Sequence, residues 1–183
     1  MASAFTHAIA ALAIGTAFRR PGPPARFWVL GVVGAAIPDL DAVGFWMGVP
    51  YDGVFGHRGI THSLTFAALF ACAGVAAFRS STYDGARRRI WLYVFLATAS
   101  HGALDAMTSG GGGVAFFAPF VNDRYFFPWR PILVSPMSIS RFFTARGVAI
   151  LASEAMWVWL PAAAFALAMT VISRRPSVPL ADR

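Results

Sequence analysis

Apolar residues run along this chain in five blocks, at residues 2–18, 27–49, 63–78, 90–108 and 147–173, separated by short polar clusters. A helix needs about 17 to 25 apolar residues to cross a bilayer. The second, fourth and fifth blocks are long enough, and the first and third are marginal. The pattern predicts an all-α fold: a polytopic helical membrane protein with about five transmembrane or membrane-embedded helices.

Residues 110–146 break the pattern. They open with Gly110 to Gly113 and continue through Phe116, Phe117, Phe120, Tyr125, Phe126, Phe127 and Trp129, with Pro119, Pro128, Pro131 and Pro136 interleaved. Proline at that density forbids a regular spanning helix, because each one removes a backbone donor and crowds the preceding turn. The aromatic rings and scattered arginines suit the headgroup level of a bilayer. This predicts an interfacial loop or short re-entrant element inside a single domain covering residues 1–183. The linkers at 19–26 and 79–89 are short, polar and arginine-rich.

Composition agrees with a membrane reading, since 57% of residues are hydrophobic and the mean hydropathy is +0.61. The first block could be a signal peptide, but Arg19, Arg20 and Arg26 follow it, whereas a signal peptide carries positive charge before its apolar run. A retained first helix is expected. The net charge of +7 does not call for nucleic acid, because the arginines cluster at block ends. With the segment after the first helix inside, Arg19, Arg20, Arg26, Arg79, Arg87, Arg88, Arg89, Arg174, Arg175 and Arg183 are cytoplasmic, against Arg58, Arg124, Arg130, Arg141 and Arg146 outside. This predicts a multi-pass protein of a bacterial inner membrane. The single cysteine, Cys72, reads as a small packing residue.

Ionisable groups inside apolar blocks are costly and mark functional sites. His101 and Asp105 are four apart and share one helix face. Asp39 and Asp41 are two apart, and the kink expected at Pro38 can turn both toward one cavity. His57 and His62 lie in a glycine-containing turn before the third block, where Thr61 or Ser63 can cap the helix. His7 begins the first block. With the N-terminus outside, all seven side chains fall at the outer membrane face. Taken singly, His7 could be a hydrogen-bonded core group and His101 with Asp105 a structural pair. Together, His7, Asp39, Asp41, His57, His62, His101 and Asp105 predict a divalent metal site of one to three ions, with zinc the best match and manganese or iron compatible. Seven donors exceed one tetrahedral site, so Asp39 or Asp41 is a candidate general base.

The strings Phe5-Thr6-His7, Pro38-Asp39-Leu40-Asp41, His57-Arg58-Gly59-Ile60-Thr61-His62-Ser63, His101-Gly102-Ala103-Leu104-Asp105 and Arg124-Tyr125-Phe126-Phe127-Pro128-Trp129 together resemble the YdjM-like, LexA-regulated, membrane-bound metal-dependent hydrolases. The resemblance covers nearly the whole chain. It implies a polytopic inner-membrane protein with a hydrolase site. A fainter similarity is to zinc-dependent phospholipase C, whose ligand order matches Asp41, His57, His101 and Asp105. This chain lacks that enzyme's later histidine with its matched acid, leaving Glu154 as the candidate replacement.

These readings predict hydrolysis of an ester or phosphodiester bond in a lipid or lipid-linked substrate at the outer face. Arg58 and Arg124 are candidate phosphate contacts, or arginines that simply reach the headgroups. Two other classes compete. A metal or proton transporter would need polar groups at several depths, and a non-catalytic, metal-stabilised protein would close every coordination position.

Overall fold

The computed structural model of the protein describes residues 1–19, 22–78, 87–136 and 142–174. The described residues are helical apart from turns, loops and two isolated bridges, Thr108 with Ile132 and Val114 with Tyr125. The α-helices are α1 (Ala4–Gly15), α2 (Ala25–Ala36), α3 (Val43–Trp46), α4 (Leu64–Ala77), α5 (Arg87–Ala106), α6 (Ala145–Glu154) and α7 (Leu160–Arg174). A 3-10 turn, Ile37–Ala42, carries α2 into α3, and a π turn, Ala155–Trp159, carries α6 into α7. The latter precedes Pro161, whose ring and missing N–H are incompatible with an unbroken α-helical ladder. The widened turn accommodates it.

Joined in this way, Ala25–Trp46 and Ala145–Ser173 are, among the described residues, the two helices long and apolar enough to cross a membrane. Ala4–Phe18 and Leu64–Ala77 are shorter apolar helices. At 20 residues α5 has the length, but it starts with three arginines and carries His101 and Asp105 near its end. Among the described residues, two of the five expected membrane helices thus meet both criteria.

Helix α5 is the hub. Ala11 of α1, Phe27 and Ala35 of α2 and Ala71 of α4 pack with its Tyr93, Val94 and Ala97 in one buried core. Small side chains let these helices approach closely, the usual way helices associate in lipid. Tyr93 stacks on Phe27 with ring centroids 4.1 Å apart. Gly31 makes room for it, since a Cβ there would lie 2.2 Å from the Tyr93 ring carbon Cζ. On α7, by contrast, Leu160, Leu167, Val171 and Ile172 are exposed, as lipid-facing residues are. Cys72 is exposed too, and accepts from Trp91 Nε1 at 3.2 Å.

The start of α1, the end of α5, the turn after α2 and the start of α4 meet at one end of the bundle, bringing the histidines and Asp39, Asp41 and Asp105 together. Arg19, Arg26, Arg87, Arg88 and Arg89 lie at the opposite helix ends. Arg20, Arg79, Arg141, Arg175 and Arg183, which also entered the orientation argument, lie outside the described residues.

The proline- and aromatic-rich segment crosses the polar end. Its Phe116 carbonyl accepts from Leu64 N, its Ala115 N donates to the Arg58 carbonyl, and its Phe127 N donates to the Ala106 carbonyl. Val114, Ala115, Ala118 and Ile132 are buried beneath it, whereas Phe120 and Trp129 stand out from its surface. Residues 137–141 of this segment are outside the described set.

Candidate metal centre

Pro38 shapes the site through the atom it lacks. Having no N–H, it leaves the carbonyls of the preceding turn short of a donor. The Ala35 carbonyl is instead 2.7 Å from His101 Nδ1. A carbonyl only accepts, so Nδ1 carries the proton and Nε2 turns its lone pair inward. That nitrogen lies 3.0 Å from His62 Nε2. Two lone pairs at this separation repel unless a proton or a cation lies between them.

Asp39 and Asp105 complete the group. Asp39 Oδ1 is 3.3 Å from His101 Nε2 and 3.8 Å from His62 Nε2, and Asp105 Oδ2 is 3.7 Å from His62 Nε2. One ligand atom from each of Asp39, His62, His101 and Asp105 falls within 4.8 Å of all the others, a spacing that could hold a metal ion. Three separate segments supply these atoms: the turn after α2, the turn before α4, and α5. Gly102 lets two of them close together, because a Cβ there would meet the His62 carbonyl oxygen at 2.7 Å.

A second group shares His62. Asp41 Oδ1 is 2.6 Å from His57 Nδ1, and its Oδ2 accepts from Thr61 Oγ1 and from Arg58 N and lies 3.2 Å from His62 Nδ1. Asp41, His57 and His62 also have metal-compatible spacing. The two groups differ in satisfaction. Asp41 has a partner at each oxygen, whereas Asp39 Oδ1, Asp105 Oδ2 and both ring nitrogens of the wholly buried His7 have no hydrogen-bond partner among the described residues. Unsatisfied buried polar atoms are expensive, and a cation is the partner that carboxylate oxygens and imidazole nitrogens share. His7 stacks on His101 at 3.7 Å, with Nε2 3.6 Å from Asp105 Oδ1.

Burial works against a charge on His62, and the facing Asp39 and Asp41 carboxylates outweigh it, raising its pKa to about 9. A cation bound at its Nε2 takes the place of a proton.

The pleat of residues around the cluster differs from the simplest reading of the sequence. The backbone at Pro38 tightens into a 3-10 turn without unwinding, and Asp39 and Asp41 enter neighbouring groups on either side of His62. Ser63, not Thr61, caps α4, accepting from Phe66 N at 3.0 Å, which leaves the Thr61 hydroxyl for Asp41.

Arg58 is almost fully buried, with left-handed backbone at φ 62°. Its Nε is 2.9 Å from Asp105 Oδ2 as an ion pair whose angle is too poor for a hydrogen bond, and its other nitrogens donate to the Gly110 carbonyl and Thr108 Oγ1. Arg124 donates to the carbonyls of His57, Tyr51 and Gly53 and rests 4.8 Å from the Tyr51 ring centre. Both guanidinium groups are thus engaged by the protein.

Glu154 is also buried, outside both groups. It accepts from Ser3 N, Ser3 Oγ and Thr6 Oγ1 at 2.6 to 2.7 Å. Its charge caps the N-terminus of α1, where a helix dipole favours an anion. The partners that sequence reasoning missed are the Ala35 carbonyl and Tyr51. Backbone groups leave no signature in composition, and an isolated tyrosine gives none.

This arrangement defines a helical membrane protein with a buried His/Asp cluster suited to a metal ion. Residues 1–177 match the model of the family described as YdjM inner membrane protein. Over 165 residues the chain is 40% identical to the Inner membrane protein YbcI of Escherichia coli (strain K12), covering 88% of this chain and 92% of that protein. The chain belongs to the YdjM family of inner membrane proteins. No solved structure matches it.

Proposed function

We propose that this protein is a membrane-bound metal-dependent hydrolase that cleaves an ester or phosphodiester bond of a lipid or lipid-linked substrate at the outer face of the inner membrane. The observation that carries this reading is the convergence of Asp39, His62, His101 and Asp105 ligand atoms within 4.8 Å, with unsatisfied oxygens among them. Asp39, His62, His101 and Asp105 would hold a divalent metal, zinc by preference, which would supply Lewis-acid chemistry and would activate water there.

The remaining roles follow from the side-chain partners. Asp41 fixes the rings of His57 and His62, as a carboxylate behind a ligating histidine does. His57, oriented by Asp41 and bordering a small cavity with Tyr51 and Arg58, is the group assigned to move a proton. Arg58 neutralises Asp105 and Arg124 braces the turn that carries His57. Glu154 anchors α1. The aromatic core around Tyr93 seals the other half of the bundle, which favours one-sided access over a transport path.

The test is purified protein in lipid nanodiscs, assayed for metal by elemental analysis and for cleavage of anionic and zwitterionic phospholipids by mass spectrometry. Stoichiometric metal with product release is expected. Metal without cleavage of any offered lipid removes the hydrolase reading, and absence of metal removes the site.

The outward orientation is tested separately. A cysteine replacing the exposed Asp123, with Cys72 changed to alanine, should react with an impermeant thiol reagent in spheroplasts. Labelling only after lysis would place the cluster in the cytoplasm.

A further inference from the structure

An apolar groove of about 330 Å³ runs beside the metal cluster, between the first residues of the chain and the far end of the aromatic segment. Phe5, Pro136, Phe142 and Phe143 are among its walls. It adjoins a second cavity of about 110 Å³ that Tyr51, His57 and Arg58 border, and the two share Met1 and Ser135. A hydrocarbon slot therefore continues to the His57 edge of the cluster.

We infer that the groove holds one acyl chain of a lipid whose ester or phosphate end lies beside His57 in the adjoining cavity. This rests on the hydrolase reading for what happens at the head, but not for the seating of the chain. Two observations commit the groove to hydrocarbon. Its backbone is already paired: Ala2 N donates to Asp105 Oδ1, Ser3 N to Glu154 Oε1 and Ser135 N to the Met1 carbonyl. An extended peptide adding along a free edge needs such groups, whereas an acyl chain does not. The second is continuity, since Phe5 and Phe143 stand open to the surroundings while Ser135 is buried where the groove meets the cavity beside His57. A hydrocarbon chain entering from the bilayer would follow that apolar path to the histidine.

The test uses the full-length protein in nanodiscs carrying a small fraction of phospholipid with a photoreactive diazirine at a chosen chain carbon, with labels mapped by mass spectrometry. Label near the ester should fall on Met1 and Ser135, and label near the methyl end on Phe5 and Phe143. Either should exceed label on the lipid-facing Leu167 and Val171 at least fivefold. Ala4→Trp, which fills the groove from its exposed wall, should abolish the excess, and the milder Ala4→Leu should reduce it.

Labelling is read without turnover, so it stands or falls apart from hydrolysis. Equal labelling of the groove and of α7, or an excess that survives Ala4→Trp, overturns the proposal in favour of ordinary bilayer contact. So does a dimer in native mass spectrometry whose cross-links pass through Phe5 and Phe143, which would give the groove to a second copy.

Discussion

The two groups on either side of His62 are built from the same residue types and differ in what they lack. On one side, Asp41 has used both oxygens on His57, Thr61, Arg58 N and His62. On the other, Asp39 and Asp105 keep oxygens with no hydrogen-bond donor, and two imidazole nitrogens face each other at 3.0 Å. A set of donors complete in itself orients its neighbours. A set with lone pairs left unpaired is suited to a cation. Metal-compatible spacing alone does not separate these cases, because both groups possess it.

Three substitutions set this contrast at risk. His101→Ala should produce the largest effect, loss of essentially all bound metal, with helical content unchanged by circular dichroism. Full metal occupancy in that variant would move the ion to the Asp41 side. His57→Gln should retain the metal while lowering turnover of a hydrolysed lipid by about 10²–10⁴-fold, the range for loss of a general acid or base. If metal is lost in proportion to activity, His57 is a ligand and the two groups are two metal sites. Asp41→Asn should be mildest, weakening metal affinity by about 10–100-fold as loss of an orienting carboxylate does. A competition titration with a chelator measures it, and complete loss of binding would make Asp41 a direct ligand.

Much of this was legible in the sequence, for physical reasons that particular residues make plain. The His101/Asp105 pair could be assigned to one face because helical spacing fixes it, and the cost of burying charge in apolar blocks singled out Asp39 and Asp41. Satisfaction was not legible. Whether Asp41 is complete depends on Thr61 Oγ1 and Arg58 N, groups that only the folded turn brings to it. Likewise Arg58 and Arg124 read as phosphate contacts or headgroup-reaching arginines, and the bonds they make to carbonyls of Tyr51, Gly53, His57 and Gly110 had no signature in the sequence. Long polar side chains find partners across the chain, beyond any local pattern. Of the five expected membrane helices, two among the described residues have both the length and the apolarity to span, while α5 carries arginines at its start and His101 and Asp105 near its end.

The apolar helix Ala145–Ser173 is fastened to the first segment of the chain at two levels. In its first half Glu154 grips Ser3 and Thr6, with Trp159 Nε1 at its midpoint donating to the same Thr6 hydroxyl; near its C-terminal end Arg19 reaches Thr170 and Ser173. A rod pinned at one point can still swivel. Pinned at two well-separated points, it keeps its azimuth, so the same greasy strip of α7 always faces the lipid and the bundle presents one fixed side to the membrane around it.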